Sequence, residues 1–272
     1  MNIRKHIPDS ITSMNLLCGV VGVILTLGGR PDQGFVCMLL GAVFDFFDGF
    51  AARMLKASSG IGKELDSLAD MVSFGVLPSV MLFVVGGTQI LILKYFPIIL
   101  AAFSALRLAK FNLDERQHAS FLGLPTPASA MVCGSLACLV QKVPDSLLAS
   151  WCAGPVFLPL LALVLSLLLV SEIPMFSMKF GGGNKASKVE NVKRIAFLVI
   201  ALAAVILTVC LHLHWSFAVL LAFTGYILDN LAFVPLCHPA SPSHSASSCH
   251  SERSTCHSES GTCHSERSEE SK

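Results

Sequence analysis

Four aspartates and one arginine stand in stretches of this sequence that are otherwise mostly apolar: Asp45, Asp48, Arg53, Asp66 and Asp70. An aspartate near the middle of a membrane helix costs roughly 2.5–3.5 kcal/mol, so four of them need compensation. A bound cation would supply it. Ligand sets made only of oxygen suit Mg²⁺, Mn²⁺ or Ca²⁺ better than zinc. The residue types therefore predict a divalent-metal site.

The spacing of the acids supports that prediction. Asp45 and Asp48 are three residues apart and Asp66 and Asp70 are four apart, so each pair lies on one face of a helix. A short connection joins the two helices, which makes them antiparallel neighbours and brings all four carboxylates to one depth. Such close like charges would repel one another, and would be partly protonated, unless divalent metal neutralised them.

Small residues accompany the acids, at Gly49, Ala52, Gly60 and Gly62. They allow helices to pack closely in lipid, and they also let a bulky phosphorylated ligand approach the backbone. Arg53 lies one turn beyond Gly49, where it can pair with a phosphate.

Two other interpretations of the acids stay open on residue chemistry. Ion pairs with lysine and arginine could hold a helical bundle together, although four acids face few buried cations. Intramembrane carboxylates also line ion and proton pathways.

The elements that must position these residues are membrane helices. The chain has 272 residues, 53% hydrophobic and only 14% charged, whereas soluble domains carry roughly 25% charged residues. The net charge of +1 gives no basic field for nucleic acid. About 20 apolar residues cross a bilayer as a helix. We predict an all-α integral membrane protein with about eight spans, at 11–29, 34–55, 65–86, 89–111, 126–142, 154–172, 194–212 and 215–236.

The lysines and arginines predict the orientation. With the N-terminus in the cytoplasm, the outer segments carry only Arg30, Lys94 and Lys142. The inner segments carry Arg4, Lys5, Arg53, Lys56, Lys63, Arg107, Lys110, Arg116, Lys179, Lys185, Lys188, Lys193 and Arg194. This asymmetry favours an even number of spans with both termini cytoplasmic, and so supports the short span at 126–142.

The composition changes after residue 236. Cys-His-Ser-Glu units begin at Cys249, Cys256 and Cys263, serine dominates, and large apolar residues are absent. Such a segment cannot form a core. The seven-residue spacing lacks the short Cys-x-x-Cys pattern of a folded zinc site. We predict a membrane domain over 1–236 and a disordered tail without assigned function over 237–272.

The acidic motif as a whole resembles a known family. Asp45-x-x-Asp48-Gly49-x-x-Ala52-Arg53, eight further residues, and Gly62-x-x-x-Asp66-x-x-x-Asp70 are similar to the complete signature of the CDP-alcohol phosphatidyltransferases. The resemblance extends over residues 1 to about 236. The branch of this family that uses L-serine is the most similar. One reason is Ser67, where a related branch carries proline. The other similar segments are Asn15-Leu16-Leu17-Cys18-Gly19, Val72-Ser73-Phe74-Gly75, Leu106-Arg107-Leu108-Ala109-Lys110 and Gly123-Leu124-Pro125-Thr126-Pro127.

The resemblance implies an activity and a role for each matching residue. A phosphatidyl group would pass from CDP-diacylglycerol to L-serine, with Mg²⁺ or Mn²⁺ as cofactor. The enzyme would be a homodimer in the cytoplasmic membrane with its active site facing the cytoplasm. Asp45, Asp48 and Asp66 would hold metal, and Asp70 would lie beside it as general base. The cytidine diphosphate site would be lined by Gly49, Ala52, Arg53 and Gly62.

Binding of the acceptor is a separate question. The carboxylate of serine needs a cation, and Arg107 and Lys110 near the inner end of the fourth span are candidates, although both are also typical anchors at a helix end. Ser73 and Asn112 are candidate polar partners that could equally bond helix to helix. Two alternative functions remain: a related transferase with an acceptor such as glycerol phosphate or inositol phosphate, and a divalent-cation transporter.

Overall fold

The computed structural model describes residues 3–55, 60–113, 121–175 and 188–232, all of which lie within the unit Met1–Cys237. The predicted tail at 237–272 lies outside the described residues, and so does most of the polar stretch at 177–191. Helices account for nearly all of the described backbone. In chain order they are α1 (Ile3–Leu27), α2 (Pro31–Leu55), α3 (Gly60–Asp70), α4 (Leu77–Val85), α5 (Leu91–Tyr95), α6 (Ile99–Leu113), α7 (Thr126–Lys142), α8 (Leu147–Ala153), α9 (Phe157–Val170), α10 (Lys188–Cys210) and α11 (Ser216–Ala232).

Local chemistry explains the turn that joins α1 to α2. Gly29 adopts a φ of 78°, which a residue with a side chain rarely tolerates. The amide of Arg30 donates to the Leu25 carbonyl at 3.0 Å, which closes the end of α1. Pro31 then opens α2, where its missing N–H costs nothing. The two helices therefore return antiparallel, and the C-terminal part of α2 lies beside the N-terminal part of α1.

The third long helix contains a wide turn directly after the last aspartate of the motif. Residues Gly60–Val85 form one apolar run of 26 residues, in which Met71–Val76 is a π-helix between α3 and α4. Such π-turns occur frequently at functional sites. The next run, Leu91–Leu113, includes a 3₁₀ turn at Phe96–Ile98.

Helix α7 forms the centre of the bundle, and most of its side chains from Thr126 to Leu139 are buried. It contacts both hydrophobic clusters. One cluster includes Leu100, Leu158 and Tyr226, and the other includes Phe35 and Met81.

The structure confirms a helical membrane protein, whereas the number of eight spans stays a prediction. Within the described residues, four helices are long and apolar enough to cross a membrane, and a fifth span results if α7 and α8, bent by 104°, count as one. Helix α9 is only 14 residues long, shorter than the predicted span 154–172. Apolar composition alone did not reveal α8, or the two-residue strand pair of Phe121–Leu122 with Pro174–Met175.

Candidate metal centre

The structure brings three of the four predicted acids together. Asp45 and Asp48 project from α2 and Asp66 projects from α3. One carboxylate oxygen from each lies within 4.8 Å of the others. Asp48 is buried, whereas Asp45 and Asp66 are half-buried.

These three residues fit a divalent cation. Their donors are all carboxylate oxygens, which hard cations prefer. Three negative charges at this separation repel one another unless positive charge is supplied. The arrangement can hold a cation between two neighbouring helices.

Asp70, the fourth acid, lies one turn after Asp66 and outside this group of three. Its Oδ1 accepts a hydrogen bond from Asn15 Nδ2 at 3.3 Å. The backbone carbonyl of Asn15 in turn accepts a hydrogen bond from Ser73 Oγ at 3.0 Å. The fully buried Asn15 therefore links α1 both to Asp70 and to the π-helical turn.

The first helix contributes a second polar contact to the acids. Thr12 is buried, and its hydroxyl lies 2.7 Å from Asp48 Oδ2. Neither Thr12 nor Asn15 was predicted as a site residue. Their signal in the sequence is a pair of polar residues, three apart, at the start of an apolar helix.

The predicted cytidine diphosphate residues lie at the same end of α2 and at the start of α3. Arg53 Nε donates to the Gly49 carbonyl at 2.9 Å on an exposed surface. A side chain at Gly49 would meet nothing within 4 Å, so internal packing does not require glycine there. Ala52 and Gly62 are half-buried. This open surface leaves space beside the acids for a ligand.

The two candidate cations for the acceptor have different partners. The Arg107 guanidinium is buried, donates to Thr126 Oγ1 at 2.7 Å and lies over the Phe111 ring. Its charge interacts favourably with Asp70. Lys110 is exposed and pairs with Glu172 at 3.3 Å. Of the two, Arg107 is therefore the candidate whose charge interacts with an acid of the motif, Asp70.

The two polar candidates are both engaged between helices. Ser73 donates to the Asn15 carbonyl, as described above. Asn112 Nδ2 donates to Ser67 Oγ at 2.9 Å, and the Asn112 carbonyl accepts from Lys63 Nζ at 3.4 Å. Asn112 thus links α6 to α3 at Ser67, which lies between Asp66 and Asp70 in the sequence.

A bundle of apolar helices around an acidic, oxygen-lined centre defines an integral membrane protein with a candidate metal-dependent active site. Residues 5–168 match the model of the family described as CDP-alcohol phosphatidyltransferase. The chain belongs to this family, which depends on divalent metal in general.

Curated relatives narrow the comparison. A protein from Bacillus subtilis, named CDP-diacylglycerol–serine O-phosphatidyltransferase, is 35% identical over 173 residues, which cover 62% of this chain and 89% of that protein. Proteins with the same name from Mycobacterium leprae and Methanocaldococcus jannaschii are 34% and 32% identical, and the matches cover 63% of this chain in both cases. The chain spans 58% of the M. leprae protein and 75% of the M. jannaschii protein.

Proposed function

We propose that this protein transfers the phosphatidyl group of CDP-diacylglycerol to L-serine, giving phosphatidylserine and CMP. The names of its relatives support the donor and the acceptor. The observation that carries the proposal is the convergence of Asp45, Asp48 and Asp66, with Asp70 one turn further along α3.

The metal centre in this proposal is held by the three converging carboxylates, with Asp70 beside them. A bound Mg²⁺ or Mn²⁺ would neutralise charge on the diphosphate and on the departing CMP. The chain's own contribution is to place Asp45 and Asp48 on one helix face and Asp66 on the next helix.

Asp70 acts as the general base in the proposed reaction. A serine hydroxyl is a weak nucleophile, and a carboxylate within hydrogen-bond reach assists removal of its proton. The serine oxygen forms a bond to the phosphatidyl phosphorus while the bond to the CMP oxygen breaks, and the hydroxyl proton passes to Asp70. The serine oxygen attacks directly, without a phosphatidyl-enzyme intermediate. Asn15 holds the Asp70 carboxylate in place through its hydrogen bond.

The two substrates contact different residues in the proposal. The diphosphate and cytidine lie over Gly49, Ala52, Arg53 and Gly62, where the absence of a side chain at Gly49 leaves room. The serine carboxylate pairs with Arg107, because this guanidinium lies near Asp70 whereas Lys110 pairs with Glu172. Ser73 and Asn112 support the acceptor site through the neighbouring helices.

The setting of the enzyme is also proposed. The domain over 1–236 crosses the cytoplasmic membrane with eight spans and both termini inside, so that the acids face the cytoplasm, and two copies form a homodimer. The excess of lysine and arginine in the inner segments supports this orientation. No function is assigned to the segment 237–272.

Release of CMP from CDP-diacylglycerol tests the reaction. Detergent-solubilised protein is assayed with Mn²⁺ and a panel of L-serine, glycerol phosphate and inositol phosphate. We expect CMP only with L-serine and only with metal, and we expect the lipid product to be phosphatidylserine. Release with glycerol phosphate instead would assign a different acceptor.

Two measurements test the role of Asp70 and the transporter alternative, and the first uses Asp70→Asn. This variant should release no CMP while largely retaining nucleotide binding. A near-normal rate would contradict the assignment of Asp70 as base. Metal flux in proteoliposomes without CMP release by the wild-type protein would favour a transporter.

A further inference from the structure

Thr12 lies outside the acidic motif but touches it. It belongs to α1, and only 3% of it is exposed. Its hydroxyl oxygen is 2.7 Å from Asp48 Oδ2 and 3.0 Å from the Pro8 carbonyl oxygen. Thr12 on α1 therefore contacts an acid of the metal centre, Asp48, on the neighbouring helix α2.

The hydroxyl has one hydrogen to give to these two acceptors. Hydroxyl–carboxylate hydrogen bonds are shorter and stronger than those between neutral groups, so Asp48 is the favoured acceptor. The Pro8 carbonyl lies four residues earlier in the same helix, the usual place for a threonine back-bond. It is the competing acceptor for the same hydrogen.

Burial of both residues keeps water from replacing this contact. Asp48 is 6% exposed, so water has little access to replace a lost hydroxyl, and a buried carboxylate that loses a donor incurs a desolvation penalty. A carboxylate with one oxygen fixed by a neighbour also has a fixed rotation. Groups that orient metal-binding carboxylates typically change metal affinity 10–100-fold when they are removed.

We propose that Thr12 is a positioning residue for the metal centre, which orients Asp48 by donating a hydrogen bond to its Oδ2. Helix α1 thereby supports the acids of α2, although it contributes none of the motif. This role requires that Asp48 binds the metal, and in that respect it rests on the proposed function.

Thr26 provides a matched control in the same helix. It is completely buried, and its hydroxyl donates to the Gly22 carbonyl, again four residues earlier, at 2.7 Å. It lies close to the α1–α2 turn, at the end of α1 remote from Thr12. Thr→Val at either position removes a buried hydroxyl and keeps the branched shape, but only T12V removes a donor to Asp48.

The test is direct Mn²⁺ binding to the full-length protein in detergent, measured by the electron paramagnetic resonance signal of free Mn²⁺. We expect T12V to weaken affinity by about tenfold or more, T26V to bind like wild type, and T12S, which keeps the hydroxyl, to stay within about threefold of wild type. Turnover of T12V should recover as Mn²⁺ is raised, because the ligand remains present.

Two results would overturn the role of Thr12: equal affinities for T12V and T26V, or a T12S affinity as weak as that of T12V, which would indicate packing rather than hydrogen bonding. If T12V does not fold, T12A compared with T26A applies the same criterion. Normal Mn²⁺ binding by wild type without serine-dependent CMP release would overturn the proposed reaction and leave the role of Thr12 intact.

Discussion

Helix α2 carries acidic side chains near both of its ends, and the two ends neutralise them differently. Asp32, in the first turn, forms a one-to-one ion pair with Lys142 at the end of α7, with Nζ and Oδ2 2.7 Å apart. Sixteen residues later, about 24 Å along the helix axis, Asp48 meets Asp45 and a third carboxylate, Asp66. An acid with a structural role is matched by a lysine of the chain, whereas the cluster concentrates negative charge as a metal centre requires.

The surroundings of Asp32 also differ from those of the cluster. Trp215 stacks on Phe35 with the ring centroids 5.5 Å apart, next to the Asp32–Lys142 pair in sequence. His214 lies in the connection before α11, and its Nδ1 is 2.8 Å from Ser216 Oγ. Burial, followed by the nearby Lys142 ammonium, lowers the pKa of His214. The ion pair, the aromatic stack and the contact of His214 with Ser216 make this end of α2 a packed structural junction.

The largest expected effect separates these two ends with one substitution in one helix. Asp45→Asn removes a ligand charge from the cluster and should reduce CMP release by about a hundredfold or more. Asp32→Asn removes a charge from the ion pair and should leave the rate within about twofold of wild type, because Asp32 lies about 24 Å from the acidic cluster along α2. Both rates are measured at saturating L-serine and Mn²⁺. Equal losses would show that the two ends are not functionally distinct.

The next effect distinguishes the two candidate cations of α6. Arg107→Gln removes the buried guanidinium near Asp70 and should raise the KM for L-serine by about tenfold or more, since hydrogen bonds to charged groups are the stronger ones. Lys110→Gln, which removes only an exposed pair with Glu172, serves as the matched control and should change KM little. A loss in kcat at unchanged serine KM would instead assign Arg107 to Asp70 alone.

A moderate effect is expected at Asn15. Asn15→Ala removes the donor to Asp70 and should lower kcat by about tenfold while the KM for CDP-diacylglycerol stays near its wild-type value. Ser13→Ala is the control two residues away, because Ser13 Oγ donates to the Asp9 carbonyl of its own helix at 2.8 Å. If both variants lose the same activity, the effect comes from α1 as a whole rather than from the contact with Asp70.

The motif could be predicted from the sequence because helical spacing fixes which side chains share a face. Asp45 and Asp48 meet Asp66 as the antiparallel arrangement of their helices implies. The bounds of α7, Thr126–Lys142, match the predicted span 126–142, and a proline in the first turn fits the start of a helix.

Contacts between distant residues were not predictable from local patterns. Thr12 meets Asp48 across 36 residues of sequence, and Asn15 meets Asp70 across 55. The π-turn after Asp70 changes which side chains of α4 face inward. The hydropathy of the sequence does not predict this turn. Apolar composition also did not give the length of α9, which has 14 residues where a span over 154–172 was predicted.

The smallest effect tests the structural end by itself. Asp32→Asn and Lys142→Gln each leave one partner of the pair alone, and each should lower the melting temperature by a few degrees with normal CMP release. The double variant should lose less than the sum of the two single losses, because the second substitution has no ion pair left to break. Differential scanning fluorimetry in detergent measures all three variants against wild type. Strictly additive losses would mean that the 2.7 Å contact does not stabilise the junction, and its contrast with the acidic cluster would then rest on activity alone.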